Sequence, residues 1–359
     1  MQTLEIIVLV YAAIMLIPTL ASITRIDQWW IRGFDFPRIQ ISVLILVGLL
    51  GCLFFLDFDK YLHFFAAGLL IYSLGYQFYY IYPYTYLAKT EVFKYNPQSE
   101  KRNISVLVSN VLTPNKKYNK LINLVQERKP DILLTLETDK TWEKELEVLE
   151  KDYPYTVKIP QDNLYGMHLY SKLELKNIEV KYLVQKDIPS IHGEVILDDD
   201  QNTAIKIHCL HPRPPSPTES DTSTARDAEL LLVGESLKEV HDKTLVFGDL
   251  NDVAWSRTTK LFHEISGFLD PRIGRGFYNT FHADYPLLRW PLDHVFHSHD
   301  FTLIEIKREK SVGSDHFPMY FNLNLEPKAK VVQEEPEPDK EEENWAKEKI
   351  KDGQPRQMV

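Results

Sequence analysis

Hydrophobic residues are distributed along this chain in three unlike ways. Up to residue 88 they run on almost without a break. Leu4–Ile23, Ile39–Leu56 and Tyr61–Tyr82 each approach the ~20 apolar residues a bilayer-spanning helix needs, and apart from His63 the only ionisable acid or base among them is Glu5. Trp29, Trp30, Tyr79, Tyr80, Tyr82 and Tyr84 stand at the segment ends, where interfacial aromatics collect. The first segment lacks a basic leader and two further apolar runs follow it, so it reads as a retained helix and not a cleaved signal. Residues 1–88 are therefore expected to be a membrane anchor of three transmembrane helices, and 89–102 a polar connector.

From residue 103 to 325 the pattern changes to short apolar runs alternating with helical spacing. ISVLVSN (104–110) and DILLTLE (131–137) read as buried strands, and YNKLINLVQERKP (118–130) as a helix stopped by Pro130. MHLYSK, GEVILD, TAIKIHCLH, TLVFGDLN, LDHVFHS and HFPMYFNLNL are further strands, and 222–240 a second helix. This is an α/β pattern with many strands. Beyond residue 325 charge dominates, and 326–359 are expected to stay disordered or only transiently helical, because little apolar surface is available to offset ordering.

Charge and cysteine usage narrow the chemistry. The net charge of −10 argues against a nucleic-acid surface spread over the whole chain, but leaves room for a local phosphate site neutralised by a metal. Only two cysteines occur, Cys52 and Cys209, too few for a disulfide framework or a cysteine zinc site. Arg25, Arg32 and Arg38 in the first loop, with Lys89, Lys94, Lys101 and Arg102 after the third span, place the C-terminal domain in the cytoplasm by the positive-inside rule.

The candidate chemistry lies at strand ends. Asn110 and Glu137 close the first two strands, His211 closes KIHCLH, and Asp249 and Asn251 follow LVF. Asp293 opens LDHVF, and Asp315 with His316 precede the last strand. An Asn or Asp there is usually a turn former; six strand ends carrying this ordered set point to one rim. Asn110, Glu137 and Asp315 are hard oxygen ligands suited to Mg²⁺, with Mn²⁺ as an alternative. Asp249 suits water activation, Asn251 holds phosphate or nucleophile, and Asp293 would orient His316 for charge stabilisation. His208 and His211 both stand on the KIHCLH strand. Three residues apart they face opposite ways, and His211 is preferred for its place at the strand mouth. Trp255 reads either as a stacking surface for a base or lipid head group or as an apolar lid on the following helix. His294 reads as structural, His168 as a strand residue and Arg213 as an exposed loop cation.

The ordered motifs VSN110, PDILLTLE137, GDLN251, PLDHVF296 and GSDH316 resemble the endonuclease/exonuclease/phosphatase superfamily, which is deoxyribonuclease I-like, and the anchored arrangement resembles its membrane-associated bacterial branch. Leu136 departs from the polar residue usual before the family Glu. The resemblance implies a four-layer sandwich of two mixed β-sheets flanked by helices. It also implies Mg²⁺-dependent phosphoester cleavage, with Asn110, Glu137 and Asp315 at the metal and Asp249, Asn251, His211, Asp293 and His316 in catalysis. The expected protein is a membrane-tethered phosphodiesterase or nuclease of the bacterial cytoplasmic membrane. Its partners would be the bilayer and a phosphoester (nucleic acid, phospholipid or small phosphodiester), with no obligate protein partner. A phosphatase or phospholipase-type enzyme on phosphorylated lipid head groups, and an inactive membrane scaffold, are the alternatives.

Overall fold

The computed structural model describes residues 3–238 and 242–354. Three long helices come first, α1 (Thr3–Ile23), α3 (Arg38–Phe55) and α4 (Tyr61–Ile81), with the one-turn α2 (Trp29–Arg32) in the first loop. All three long helices are apolar enough to cross a membrane. They bury Ile45, Cys52 and Leu70 among themselves and expose Leu53, Phe54 and Phe64 outward. A belt of that size has no reason to face water.

The rest of the chain is an α/β sandwich. In order follow β1 (Asn103–Asn110), α5 (Tyr118–Arg128), β2 (Ile132–Leu136), α6 (Lys140–Leu146), β3 (Tyr155–Ile159) and β4 (Met167–Ser171). Then come β5 (Leu175–Lys181), β6 (Ser190–Ile196), β7 (Ala204–Leu210), α7 (Thr224–Leu237), β8 (Thr244–Asp249) and α8 (Arg257–Ser266). The last elements are β9 (Asp293–His297), β10 (Phe301–Arg308), β11 (Met319–Leu325) and α9 (Lys340–Gly353). One sheet has the order β10-β11-β1-β2-β4-β3 and the other β5-β6-β7-β8-β9. Both are mixed, because β1 pairs with β2 and β7 with β8 in parallel while their neighbours run antiparallel. The second helix, expected over 222–240, ends at Leu237; residues 239–240 lie outside the described residues.

Period-two alternation decides which face each strand residue takes. Ile104, Val106 and Val108 of β1, and Leu245 and Phe247 of β8, fill the core between the sheets. Leu107 turns outward onto α5 and α6, and Val246 outward onto α7 and α8. β3, β5 and β10 are absent from the expected strands, and for β5 and β10 the reason is local. Each carries charged residues and a register shift, so clean alternation is lost.

Two expected boundaries change. Residues 89–102 are more than a polar connector: Val92 is wholly buried in the inter-sheet core, and Phe93 and Tyr95 exchange backbone hydrogen bonds with Leu303 of β10. Residues 340–353 are not disordered. Asp339 and Glu342 form a capping box, and Trp345, Ala346 and Ile350 pack against the α7–α8 cluster. Lys349 is buried between Asp227 of α7, at 2.8 Å, and Asp27 of the first loop. Net charge hid an apolar stripe at helical spacing.

The anchor is docked, not merely tethered. Asp35 ties its elements together through Arg32, Arg38 and Ser22, and Arg38 continues through Gln77 (2.8 Å) to Thr19 (3.0 Å from Gln77). Arg32 and Arg38 are thus buried structural cations, held by Asp35 and Gln77. Trp255 lies beneath this joint, wholly buried, and its indole N–H donates to the Asp35 carbonyl at 2.9 Å. It is neither a stacking surface nor a lid on α8. Arg257 caps the C-terminal carbonyls of α1, and Tyr84 donates to Ala254 O at 2.7 Å.

A chain starting at residue 89 should therefore melt higher than one starting at residue 103, since burying a valine contributes ~1.5–3 kcal/mol. Equal melting temperatures would show that the connector contributes nothing to the core.

Candidate active site

The inward-facing rows of β1, β7, β8 and β9 end at one rim of the sandwich, and they end in polar residues. Asn110 follows Val106 and Val108; Asp249 follows Leu245 and Phe247; His211 follows Ile207 and Cys209; Asp293 precedes Val295. Parity alone brings these four side chains into the gap between the sheets. Asn110 Nδ2 lies 3.1 Å from Asp249 Oδ2 and 2.8 Å from Glu137 Oε1. The same Asp249 oxygen stands 3.5 Å from His316 Nε2 and 4.0 Å from His211 Nε2. His316 Nδ1 is held by Asp293 Oδ2 at 2.9 Å.

Two residues reach the rim only through left-handed backbone. Glu137 (φ 60°) and Asn251 (φ 52°) leave their strands in a conformation that costs a non-glycine residue energy. Thr113 Oγ1 pins the Glu137 carbonyl at 2.7 Å. Asp249 Oδ1 accepts from the Asn251 N–H at 3.0 Å, and Asn251 Nδ2 donates to Pro212 O at 2.9 Å. Gly248 (φ 148°) is needed beside them, because a Cβ there would meet Leu210 O at 2.0 Å.

Burial sets the protonation states. Burial raises Glu137 to about 7, against the Asn110 amide that favours its charge. Asp249 is raised by burial too, in spite of His316. Burial also works against a charged His316, but Asp249, Asp293 and Asp315 outweigh it and hold the imidazolium up to about 10. His211, beside Asp249 alone, is carried by burial down to about 4 and stays neutral.

Acid is therefore in excess. Ligand atoms of Asp249, Asp293 and His316 lie within 4.8 Å of one another, an acidic and histidine group of the kind that holds a metal. Asp293 Oδ2 is already committed to His316, however, and the stronger sign of a cation is Glu137: its Oε2 is buried without a partner, and Asp293 Oδ1 is likewise unpartnered. Hard oxygens in that state fit Mg²⁺ or Mn²⁺. Asp315 sits half-buried at the same rim, near enough to influence both Glu137 and His316, and its carbonyl accepts from Ala283 N at 2.6 Å.

The structure separates the two candidate histidines. His208 faces away from the rim, its Nδ1 2.7 Å from His192 Nδ1 on β6. His294 is buried between Arg272 (2.8 Å) and Asp252 O (2.8 Å), a structural position. His168 is a buried strand residue beside Tyr170. Arg213 pairs with Asp187 and lies over Tyr165. Two neighbours of the site went unread in the sequence. The Phe281 ring lies 5.0 Å from that of His316, and Tyr165 5.2 Å from His211. Both come from loops, where no periodicity marks them.

Two face-packed mixed sheets between helices, with this rim at one edge, are the architecture of the deoxyribonuclease I-like class. The chain belongs to the Endonuclease/Exonuclease/phosphatase family, whose signature matches residues 103–316. Among curated proteins no sequence match is found. Solved structures share the fold at low identity. D. rerio TDP2 complexed with single strand DNA product is 15% identical over 62% of this chain and 99% of its own, with a TM-score of 0.51. The human Nocturnin catalytic domain with bound sulfate is 14% identical over 68% and 99%, also at 0.51. An endonuclease/exonuclease/phosphatase family protein from Bacteroides thetaiotaomicron is 18% identical over 64% and 100%, at 0.50.

Cation binding at this rim should release a proton. Below its pKa of about 7 Glu137 is protonated and competes with the ion, so Mg²⁺ affinity should fall about tenfold per pH unit from ~7 downward and level off above. Calorimetry in buffers of different ionisation heat would count that proton, and Glu137→Gln should remove its share. An affinity independent of pH would take Glu137 out of the cation site.

Proposed function

We propose that this protein is a membrane-tethered, divalent-metal-dependent phosphoester hydrolase, acting as a phosphodiesterase or nuclease. The observation that carries this reading is the convergence of Asn110, Glu137, Asp249, Asn251, Asp293 and His316 on one rim, with acid in excess. Glu137, Asn110 and Asp315 would hold Mg²⁺ or Mn²⁺. When bound there, the ion supplies positive charge to the phosphate and leaving oxygens.

The chain's own groups do the rest. His316, protonated and fixed in orientation by Asp293, presents its Nε2 proton to a phosphoryl oxygen whose charge grows in the transition state. Asp249 accepts a proton from the attacking water or orients it. Asn251, held by Pro212, turns toward the phosphate or the nucleophile. His211, neutral at working pH, adds a second imidazole near the same Asp249 oxygen, at 4.0 Å. The completeness of the set weighs against an inactive scaffold. A cytoplasmic side for this domain draws support from the Lys and Arg count of the first loop (Arg25, Arg32, Arg38) and of Lys89, Lys94, Lys101 and Arg102 after the third apolar helix.

Hydrolysis of bis-p-nitrophenyl phosphate should require Mg²⁺ or Mn²⁺ and stop in EDTA. Asp293→Asn should lower kcat by about 100-fold with little change in KM, because the imidazole loses the partner that fixes its proton. Asp293→Asn combined with His316→Ala should be little worse than His316→Ala alone. Additive losses would separate the pair and withdraw the dyad from the mechanism.

A further inference from the structure

One hairpin joins the rim to the membrane end of the anchor. Its base is Phe281 paired with Trp290, and Phe281 also bridges to His316. Arg289 braces the arms by donating to the carbonyls of His282 (3.2 Å) and Ala283 (2.6 Å). Its tip exposes apolar side chains: Tyr285 is 58%, Leu287 83% and Leu288 49% exposed. The tip is not free in space. Gln40 Nε2 donates to the Leu287 carbonyl at 2.7 Å, and Phe36 packs edge-on against Trp290.

Gln40 is the third residue of α3, and this fixes depth. The 18 residues of α3 rise about 27 Å, slightly less than a hydrocarbon core of ~30 Å, so the whole helix is needed to cross. Leu287 is hydrogen-bonded at the membrane boundary, on the same end as the exposed Trp30 and Ile26. The hairpin spans only a few residues per arm, at ~3.3 Å each, so its base is about 10 Å above its tip. The polar head-group layer is about 5–7 Å deep on each side. Beside His316, Phe317 is flanked by Arg289 (4.9 Å) and Arg308 (4.4 Å). Both guanidiniums donate to backbone carbonyls, and neither forms an ion pair among the described residues.

From this arrangement we infer that Tyr285–Leu288 is an interfacial wedge in the head-group layer, and that the phosphoester delivered to the rim is carried on a lipid. The wedge holds the rim one head group above the acyl chains, and the two guanidiniums meet an anionic phosphate arriving from that side. The substrate half of this inference rests on the hydrolase reading; the wedge does not.

The test uses the full-length protein in phosphatidylethanolamine–phosphatidylglycerol vesicles. The only two cysteines, Cys52 and Cys209, are buried, so Leu287→Cys can be labelled selectively with an environment-sensitive fluorophore. Its emission should shift to the blue and be quenched by shallow nitroxide lipids; quenching by aqueous iodide alone would overturn the wedge. Turnover of phosphatidylglycerol (a phosphodiester) and phosphatidic acid (a phosphomonoester) in vesicles is then compared with bis-p-nitrophenyl phosphate, and the two lipid arms separate the ester classes. Leu287→Asp with Leu288→Asp should lower the ratio of vesicle to soluble turnover about tenfold or more, since the wedge supplies local concentration. An unchanged ratio, or a wild type active on the soluble ester alone, would overturn the lipid substrate. A wild type inactive on every ester would instead sink the hydrolase reading, while the fluorescence still judges the wedge.

Discussion

Two sheets packed face to face must bury one side of every strand they share, and those buried rows have to end. In this protein they end together, at a rim where Val108, Phe247 and Cys209 give way within two residues to Asn110, Asp249 and His211. The site is the polar continuation of the core. Rigid packing behind it holds the side chains at hydrogen-bonding distance, and the same burial shapes their charge. Because the parity of a strand cannot be altered without moving its whole apolar row, the rim inherits its geometry from hydrophobic packing.

Excess acid is the second consequence. Glu137, Asp249, Asp293 and Asp315 converge on one imidazolium, and their burial leaves their mutual repulsion weakly screened. The backbone accepts left-handed conformations at Glu137 and Asn251 to complete the set. These costs are met at a buried rim whose acids a cation would neutralise, and the His316–Asp293 pair keeps one proton available through neutral pH.

The anchor extends this logic outward. Asp35 gathers Arg32, Arg38 and Ser22, and its carbonyl receives Trp255, so the loop between the first two long helices is also the seat of the sandwich. α9 closes the joint from the other side through Lys349. A domain so seated keeps one face against the three apolar helices, and the hairpin at the rim lies on that face, where Gln40 meets Leu287.

Much of this was legible in the chain. Strand parity, the three apolar spans and the ordered polar strand ends are local properties, carried by spacing of two or by runs of fixed length, and so a sequence expresses them directly. Parity even separated His211 from His208. What the sequence could not express were contacts between segments far apart. The burial of Trp255 under Asp35 joins residues 220 apart, and Lys349 reaches Asp27 across 322. Arg32 and Arg38 looked like free loop charges until the fold brought Asp35, Gln77 and Tyr80 around them. The helix at 340–353 looked like a solvated tail, because buried Ala346 and half-buried Trp345 and Ile350 are hidden by the charges between them and gain a surface only when α7 and α8 pack. Local pattern determined most of the strands, the three apolar helices and the polar set. Tertiary packing decided how anchor, hairpin and rim stand to one another, because only burial against a distant segment fixes which face a side chain turns to solvent, to the core or to the membrane.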